Sequence, residues 1–474
     1  MSNVTLNVYK TISCDTLVAG GGVSGVAAAI ASARHGAKTV LLESGGCLGG
    51  QATLGLVTPL DARTDTTGRS FGGLIAEIAE MTVALSKEYC SSGDEGAHSD
   101  IASPHILKYV LLKLLTESGA EVSFHTVLIG ADKQDDEITA VYAATKSGIV
   151  KYEAKNYVDA TGDAQLTYLS GADYRLGSEP GVFRQLSDEG LNKAHFSENK
   201  YDAYSENGLL QPVSIFLLMG GVDVDRAWPL NNKDLHFGDL GITKERFLNW
   251  KFAGSCGFEV TNDRIPMPQG RVLITRSNRH DVAVINMSRV LHIDGSDTDS
   301  LNRGELLAQA QVISIVDFLK TFIPGFENSF YLQSGFTLGV RETRRMIGKY
   351  TLSGLDAIQC RKFPYPAARG SYIIDIHDPL GKARAIGGSI KGAFYDIPYS
   401  ALVSRNVKNL LSAGRCISAD HIAHASTRIQ GTAILTGQAA GTASALCMIS
   451  GIPAQSLPDK DLHEALLKDG VYLD

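Results

Sequence analysis

The chain has 474 residues, a formal net charge of −7 and an apolar content of 44%, a profile typical of a globular protein with one large folded unit or two domains. Nucleic-acid binders usually show a basic patch or a high isoelectric point, and this acidic chain shows neither. Seven scattered cysteines without C-x-x-C or C-x-x-x-x-C spacing argue against a disulfide scaffold, a zinc ribbon or a redox-active dithiol.

The amino-terminal stretch MSNVTLNVYKTISCD is polar and lacks the basic start, apolar core and cleavage site of a signal peptide. The most apolar stretches, at residues 26–33 and 433–448, are rich in small residues and do not reach ~20 strongly apolar positions. We therefore expect a cytoplasmic protein without a membrane span, and no residue spacing indicates a metal site.

The first predicted element is a buried strand over residues 14–19, followed by the sequence G-x-G-x-x-G and a predicted helix over residues 23–35. In this motif Gly20 permits a tight turn, Gly22 lets the backbone approach a pyrophosphate, and Gly25 lets the helix and the strand pack closely. The pattern predicts a dinucleotide site.

Two neighbouring features agree with such a site. The helix begins at Val23 and Ser24, so its free N–H groups and the positive end of its dipole face the phosphates. A second predicted strand, over residues 38–42, ends at Glu43, 23 positions after Gly20, where a partner for a ribose hydroxyl is expected.

Three further segments extend the pattern. A glycine-rich loop, SGGCLGGQAT over residues 44–53, follows at the mouth of the predicted site, and its Cys47 is expected to serve in packing. Farther along, KNYVDATGDA over residues 155–164 predicts an apolar strand that runs into Ala-Thr-Gly. Near the carboxyl terminus, residues 409–447 predict a strand, a loop and a long helix of small residues.

Taken together, these segments resemble FAD-containing oxidoreductases of the glutathione-reductase-like superfamily, and GGCLGGQAT and GQAAG resemble the fumarate reductase side of it. Over nearly the whole chain, LGVRETRRMIGKYTLSGLD, RGSYIIDIHDP, YDIPYSALV and GRCISADHIAHASTR are similar to the bacterial FAD-dependent oxidoreductase family. His424 departs from that family pattern.

The resemblance implies one FAD bound without a covalent link, held by the amino-terminal strand and by the carboxy-terminal strand and helix. No second G-x-G-x-x-G follows a strand, so we expect an external electron donor or acceptor, a small-molecule substrate and no nucleic acid, with a homo-oligomer left open. The predicted cofactor contacts are Gly20, Gly22, Val23, Ser24, Gly25, Glu43, Ser44, Gly49, Gly50, Gln51, Ala160, Thr161, Gly162, Gly414, Arg415, Gly431 and Thr432.

The implied fold class is α/β, with a discontinuous Rossmann-type FAD-binding domain and a second, β-rich α+β substrate domain. We expect the FAD-binding domain at residues 1–179 and 405–474 and the substrate domain at residues 180–404. Within the first part, an amphipathic helix is predicted over residues 105–117 and a β-meander over residues 121–158.

Two polar, glycine-rich stretches interrupt the first domain. Residues 61–73 are either a mobile lid near the flavin or an ordinary loop, and residues 91–100 are expected to form an exposed loop.

A flavin oxidoreductase needs a group that handles a proton while a hydride is transferred. Asp375 and His377 are two positions apart on a predicted strand, so both side chains point to one face. A histidine beside a carboxylate is held in one tautomer and titrates near neutral pH, which suits a general acid/base. The alternative is a buried polar pair that joins parts of the fold.

Two sets of basic residues are candidates for binding anions. Arg341 lies in an arginine-rich segment and is a candidate anchor for an acidic substrate or for flavin charge, the alternative being ordinary salt bridges. His424 and Arg428 are one helical turn apart. By resemblance they lie close to the isoalloxazine ring, the alternative being a surface position.

We therefore predict an FAD-dependent oxidoreductase that transfers a hydride between a small polar metabolite and flavin N5. The alternatives are a flavoprotein that modifies a macromolecule such as tRNA, which the acidic charge disfavours, and a flavin monooxygenase. The predicted catalytic residues are His377, Asp375, His424, Arg341 and Arg428.

Overall fold

The central strand of the protein, β1, pairs in parallel on both sides, with β2 and with β6, and β3 extends the same sheet beyond β2. The computed structural model describes residues 7–58, 60–90, 103–191, 208–227, 273–277, 279, 281–381 and 385–474, and the predicted exposed loop at 91–100 lies outside them. The strands are β1 (Val8–Ala19), β2 (Thr39–Leu42), β3 (Glu121–Ser123), β4 (Val127–Gln134), β5 (Glu137–Thr145), β6 (Gly148–Asp159), β7 (Tyr174–Leu176), β8 (Leu217–Gly220), β9 (Leu273–Arg276), β10 (Val282–Asn286), β11 (Phe330–Ser334), β12 (Arg344–Met346), β13 (Pro366–Gly370), β14 (Ile374–Ile376), β15 (Ile386–Gly388), β16 (Tyr395–Pro398) and β17 (Leu410–Ser412).

The apolar runs of the first strands explain their central place, because strands covered on both faces of a parallel sheet read as continuous apolar sequence. All four residues of β2 are buried, as are the last four of β1. The predicted β-meander at 121–158 is correct only in part. Strands β4, β5 and β6 pair antiparallel as predicted, whereas β3 joins the parallel part of the sheet.

Strand β17 returns the chain to this sheet after an excursion of more than two hundred residues. It pairs in parallel with the second half of β6, while the first half of β6 pairs with β5. The side chain of Asn409 bridges β5 and β6 at the point where β17 replaces β5 as the partner of β6. Its amide donates to the carbonyl oxygens of Ile138 (2.9 Å) and Lys155 (3.2 Å), and its oxygen accepts from the Ile138 N–H. The parallel sheet is therefore built from two separate parts of the chain.

The second sheet is antiparallel, with the order β11-β8-β10-β9. The long helix Thr298–Phe322 packs on it and buries Ile315, Phe318 and Leu319 in a cluster with apolar residues of the sheet. Asp297 starts this helix by accepting a hydrogen bond from the Ser300 N–H (2.8 Å), the contact expected of an N-cap aspartate.

Apart from the first strand of the predicted meander, the predicted elements that the structure describes are present, with their ends shifted by a few residues. The first strand begins at Val8 and the first helix ends at Arg34. The helices are α1 (Val23–Arg34), α2 (Gly73–Cys90), α3 (Pro104–Glu117), α4 (Gln165–Leu169), α5 (Arg184–Asp188), α6 (Val224–Ala227), α7 (Thr298–Phe322), α8 (Gly354–Ile358), α9 (His421–Thr427), α10 (Gln430–Ser450) and α11 (Asp459–Lys468).

The loop at residues 61–73 contains internal hydrogen bonds and contacts to other segments of the chain. The carboxylate of Asp65 accepts from the backbone N–H groups of Thr67 and Arg69, and the Thr66 N–H reaches the Ala393 carbonyl oxygen.

Helices α1 and α10 touch backbone to backbone. A Cβ atom on Gly437 would lie 2.1 Å from the Ser24 carbonyl oxygen, and one on Gly441 would lie 2.0 Å from that of Ala28. Among the described residues, one helix, α10, is long and apolar enough to cross a membrane, although no membrane span was expected from the sequence. Of its most apolar window, 83% is buried inside the protein. Packing against α1 accounts for that composition.

We expect Gly441→Ala to destabilise the fold, because the new methyl group must push the two helices apart. Overpacking of this kind costs about 1–3 kcal/mol. Thermal unfolding should show a lower midpoint than for Gly130→Ala, whose Cβ would meet only the Tyr142 ring at 3.9 Å. Equal midpoints for the two variants would show that the helices separate at no cost.

Candidate active site

A cavity of about 1150 Å³ lies between the two sheets. It is larger than the ~300–1,000 Å³ of a pocket for one small ligand, so it has room for a long cofactor and a substrate together. One end is lined by the glycine turn after β1, by Glu43 and by the loop at residues 49–51. The other end is lined by charged residues, namely Arg289, Arg341, Asp375, His377 and Arg428.

The three motif glycines have three different surroundings. Gly20 has φ +100°, and a Cβ there would lie 2.6 Å from the Ala160 carbonyl oxygen, so the turn requires glycine. A Cβ on Gly25 would lie 1.8 Å from the Gly20 carbonyl oxygen, so this glycine allows close packing and does not line the cavity. Gly22 has an ordinary φ of −63° and no atom within 4 Å of its Cβ position. Its missing side chain leaves space open in the cavity, at the N-terminus of α1 beside Val23 and Ser24.

Glu43 joins the two glycine-rich loops. One carboxylate oxygen accepts from the Gly21 N–H (2.8 Å), and the other accepts from the Gly45 N–H (2.5 Å) and from the Ser44 hydroxyl (3.2 Å). The side chain is almost fully buried and still contributes to the cavity wall. It therefore shapes the loops as well as facing any bound nucleotide.

The second loop is fastened to the first. The Gly49 N–H donates to the Gly21 carbonyl oxygen (2.8 Å), and Gly49 and Gly50 both adopt positive φ values. The Gln51 amide N–H donates to the Leu338 carbonyl oxygen (3.0 Å), and its buried Oε1 has no hydrogen-bond partner among the described residues. A bound ligand with a donor group would satisfy that oxygen.

The third wall follows β6. Asp159 is buried and accepts hydrogen bonds from the backbone and hydroxyl groups of both Thr161 and Thr167, which fixes the turn Ala160–Thr161–Gly162 at the cavity. Arg415 lines the cavity beside this turn and donates to Asp163 (2.8 Å).

Three other predicted cofactor contacts lie behind the cavity wall, which corrects their assignment. A Cβ on Gly414 would meet the Ser24 hydroxyl at 2.5 Å, and Gly431 packs against the backbone of Asp61 and Ala62. Thr432 is fully buried. Helix α10 begins beside the cavity near the predicted position, but Gln430 and Ala433 are the residues that line it.

These residues fit an FAD. A glycine with an empty Cβ position stands at a helix N-terminus, where phosphates are favoured. Within the part of the chain that the structure describes, the cavity wall also carries two buried amide oxygens without hydrogen-bond partners, Oε1 of Gln51 and Oε1 of Gln430. Gly20, Gly22, Glu43, Gln51 and Gln430 are the residues best placed to hold the cofactor.

At the charged end, Asp375 lies in β14 and His377 directly follows that strand. Their side chains share one face, and His377 Nε2 lies 3.3 Å from Asp375 Oδ2. Arg428 Nη2 lies 3.6 Å from the same carboxylate oxygen and donates to the Asp375 carbonyl oxygen (3.1 Å). Arg341 donates to the Pro212 carbonyl oxygen (2.7 Å), and Arg289 donates to Nδ1 of His377.

The contacts of His377 define its tautomer. Nδ1 accepts from the guanidinium of Arg289, so the ring proton sits on Nε2 and points to Asp375. Burial and the nearby positive charge of Arg341 hold the pKa of His377 well below 6.5, although Asp375 opposes this. The prediction of a pKa near neutral was therefore wrong. The histidine is neutral at pH 7 and keeps a lone pair at Nδ1.

His424 does not reach the cavity, which corrects its predicted role. The residue is fully buried, and neither ring nitrogen has a hydrogen-bond partner in the described part of the structure. Burial lowers its pKa well below 6.5 despite the nearby carboxylate of Glu342. The resemblance placed it at the flavin, but the ring points into the protein instead.

Several lining residues were not among the predicted site residues, and two of them, Arg289 and Asp61, are close to the Asp375–His377 pair. Arg289 is the partner of His377, and nothing in a single sequence marks it. Asp61 also lines the cavity, where surrounding protein and the charge of Asp375 raise the pKa of its carboxyl group against the effect of Arg63. Asp61 opens the polar stretch 61–73, so a weak signal existed for it.

The chain belongs to the FAD dependent oxidoreductase family, whose family model matches residues 15–466. The protein is accordingly an FAD-dependent oxidoreductase with an FAD-binding Rossmann-like domain. No curated protein matches the sequence significantly.

Solved structures with a similar general fold come from several flavoenzymes. A p-nitrophenol 4-monooxygenase from Pseudomonas putida is 10% identical, with 98% of this chain and 88% of that chain covered and a TM-score of 0.44. A geranylgeranyl bacteriochlorophyll reductase-like protein from Thermoplasma acidophilum is 12% identical, with 97% and 84% covered and a TM-score of 0.41. A myxobacterial chondrochloren halogenase is 10% identical, with 96% and 78% covered and a TM-score of 0.42. Similarity at this level carries no inference about the reaction.

The purified protein should be yellow, and heat or acid should release FAD into the supernatant. We expect Gly22→Val to fold and to lose FAD, because the branched side chain projects into the cavity where no protein atom stands. Absorbance per chain measures the cofactor, and thermal unfolding of the apoprotein checks the fold. Flavin that precipitates with the chain would contradict non-covalent binding, and a yellow Gly22→Val would place the phosphates elsewhere.

The two buried histidines should make stability fall in acid. Below about pH 6.5 both histidines bind protons in the unfolded chain. In the folded protein His377 and His424 stay neutral at the same pH, because their pKa values are lowered. The free energy of unfolding then drops by up to ~1.4 kcal/mol per pH unit for each histidine. We expect His424→Gln to reduce this slope between pH 6.5 and 5 and to leave it unchanged above pH 7.5. An unchanged acid slope in denaturant titrations would contradict the assignment.

Proposed function

We propose that the protein oxidises or reduces a small polar metabolite at the charged end of the cavity, with His377 as the residue that handles the proton. The observation that supports this is one continuous cavity, lined by the glycine turn at one end and by the Asp375–His377 pair at the other. Substrate and cofactor therefore share one space. When bound, FAD supplies the two-electron acceptor or donor for the hydride, and an external partner from solution exchanges the electron pair with it.

His377 carries a defined lone pair at Nδ1, which at present accepts from Arg289. A substrate hydroxyl or amine that replaces this donor gives its proton to Nδ1 while hydride leaves the carbon. In the opposite direction the protonated ring returns the proton. Asp375 holds the Nε2 proton, so it keeps the ring in the orientation that presents Nδ1 to the cavity.

The neighbouring arginines regulate how strong a base His377 is. In the empty site, burial and the charge of Arg341 disfavour protonation of the ring and hold its pKa low. An anion bound beside Arg341 would offset that charge and raise the affinity of Nδ1 for a proton. His377 therefore becomes a stronger base only when the substrate is bound, and it exchanges few protons with solvent before binding.

The test is anaerobic bleaching of the flavin by a panel of hydroxy acids, sugars and amines. A compound that bleaches the oxidised protein identifies the substrate class and the direction. His377→Ala should then slow flavin reduction by about 10²–10⁴-fold, the usual cost of losing a general acid/base, with FAD content unchanged. The control is His463→Ala, because Nδ1 of His463 donates to the Pro366 carbonyl oxygen (2.9 Å) and the residue does not line the cavity; this variant should react at the normal rate. An equal rate in His377→Ala would remove the proton-handling role and direct attention to Asp61.

A further inference from the structure

We propose that the second sheet binds an apolar group of the substrate, so that the compound that reacts beside His377 is an alcohol or amine with an aliphatic or aromatic body, or its oxidised counterpart. This inference rests on the proposed function and specifies its substrate class. The part of the second sheet concerned is called the sheet wall. It consists of the cavity-lining residues that β9, β10 and the residue preceding β8 contribute, namely Phe216, Leu273, Thr275, Val284 and Asn286.

The pairing register places the sheet wall on one face of the sheet. Residues directly opposite each other in an antiparallel pair share a face, and β10 pairs with β9 so that Val284 is opposite Thr275 and Asn286 is opposite Leu273. The alternate positions of the same strands, such as Ile285, point the other way and pack with α7 in a buried apolar cluster. One face of the sheet therefore packs on the helix, and the other face lines the cavity.

The composition of the sheet wall differs from that of a sheet face in water. An antiparallel sheet with one packed and one solvated face alternates apolar and polar residues along each strand. Here Phe216, Leu273 and Val284 are apolar, Thr275 and Asn286 are uncharged, and Val284 is only 2% exposed. Among the described residues, every charged side chain that lines the cavity lies outside β8, β9 and β10. Removing apolar surface from water is favourable, so this face favours an apolar ligand group.

The sheet wall is also close to the residue that handles the proton. The chain leaves β10 at Asn286 and, three residues later, reaches Arg289, whose guanidinium contacts Nδ1 of His377. Three residues of extended chain span at most about 10 Å. The polar group that reacts at His377 and the apolar group on the sheet wall can therefore belong to one small molecule.

The experiment compares ligands that share a carbon skeleton and differ in polarity, using the oxidised, FAD-loaded protein. Cyclohexanol and inositol have the same carbon ring, but inositol carries a hydroxyl group on every carbon. Each compound is titrated while the visible flavin spectrum is recorded, and calorimetry measures the same binding. We expect saturable binding of cyclohexanol with a negative heat-capacity change, the signature of apolar burial, and no binding of inositol. From 1-propanol to 1-hexanol, affinity should rise about three- to fourfold for each added methylene group.

Two variants make the sheet wall more polar with little change of side-chain shape. Leu273→Asn and Val284→Thr should each weaken binding of 1-hexanol by about 5- to 10-fold, because the alkyl chain then contacts a polar group. The control Leu332→Asn makes the same replacement on β11, the edge strand of the same sheet. Leu332 is exposed and does not line the cavity, so this variant should bind normally. FAD content and thermal unfolding identify any variant that fails to fold.

The outcomes separate this inference from the proposed function. Saturable binding of the alcohols while no compound bleaches the flavin keeps the apolar site and overturns the hydride chemistry. Bleaching by sugars as readily as by cyclohexanol keeps the oxidoreductase function and overturns the apolar site. Equal affinities for cyclohexanol and inositol, a flat series of alkanols, or equal behaviour of Leu273→Asn and Leu332→Asn also overturns it. Loss of FAD in Leu273→Asn with normal affinity for 1-hexanol would assign the sheet wall to the flavin.

Discussion

The contact between helices α1 and α10 sets the distance between the two chain segments that form the cofactor end of the cavity. Because Gly437 and Gly441 carry no side chain, the backbone of α10 rests directly on the carbonyl oxygens of Ser24 and Ala28. This brings the first turn of α10, with Gln430 and Ala433, to the same cavity as the turn that precedes α1. Buried hydroxyl contacts, such as Thr16 to Ser444 at 2.6 Å, tie the same helix to the central strand.

A buried ion cluster has the corresponding role at the substrate end. Glu342 forms an ion pair with Arg345 and accepts a hydrogen bond from Nδ1 of His421 (2.9 Å), and Arg345 also donates to Glu179 (2.9 Å). Burial opposes the charge on Glu342, but His421 and Arg345 hold the pKa of its carboxyl group well below the usual range. Removing one member of such a buried pair commonly costs about 3–5 kcal/mol.

That cluster also positions the cavity arginines. Arg341 directly precedes Glu342 in the chain, and His421 begins the short helix α9 that Arg428 caps at its other end. The side chains of Glu342, Arg345 and His421 are buried and do not line the cavity, whereas Arg341 and Arg428 line it. The residues of the arginine-rich segment therefore have two different roles. One part stabilises the fold through the ordinary salt bridges that the sequence left as an alternative, and the other part gives the cavity its positive charge.

The sequence by itself determined the features that depend on neighbouring residues. The strand, glycine turn and helix over residues 14–35, the acid at Glu43 and the long helix of small residues within 409–447 are local, because turn geometry and periodicity act over a few positions. The Asp375–His377 contact also follows from the two-residue repeat of a strand. Only the tertiary structure decided that Arg289 binds His377, that His424 faces the core and that Gly414, Gly431 and Thr432 stand behind the wall. These facts depend on how segments more than fifty residues apart pack together, and on the desolvation and charge that this packing creates, which no local pattern encodes.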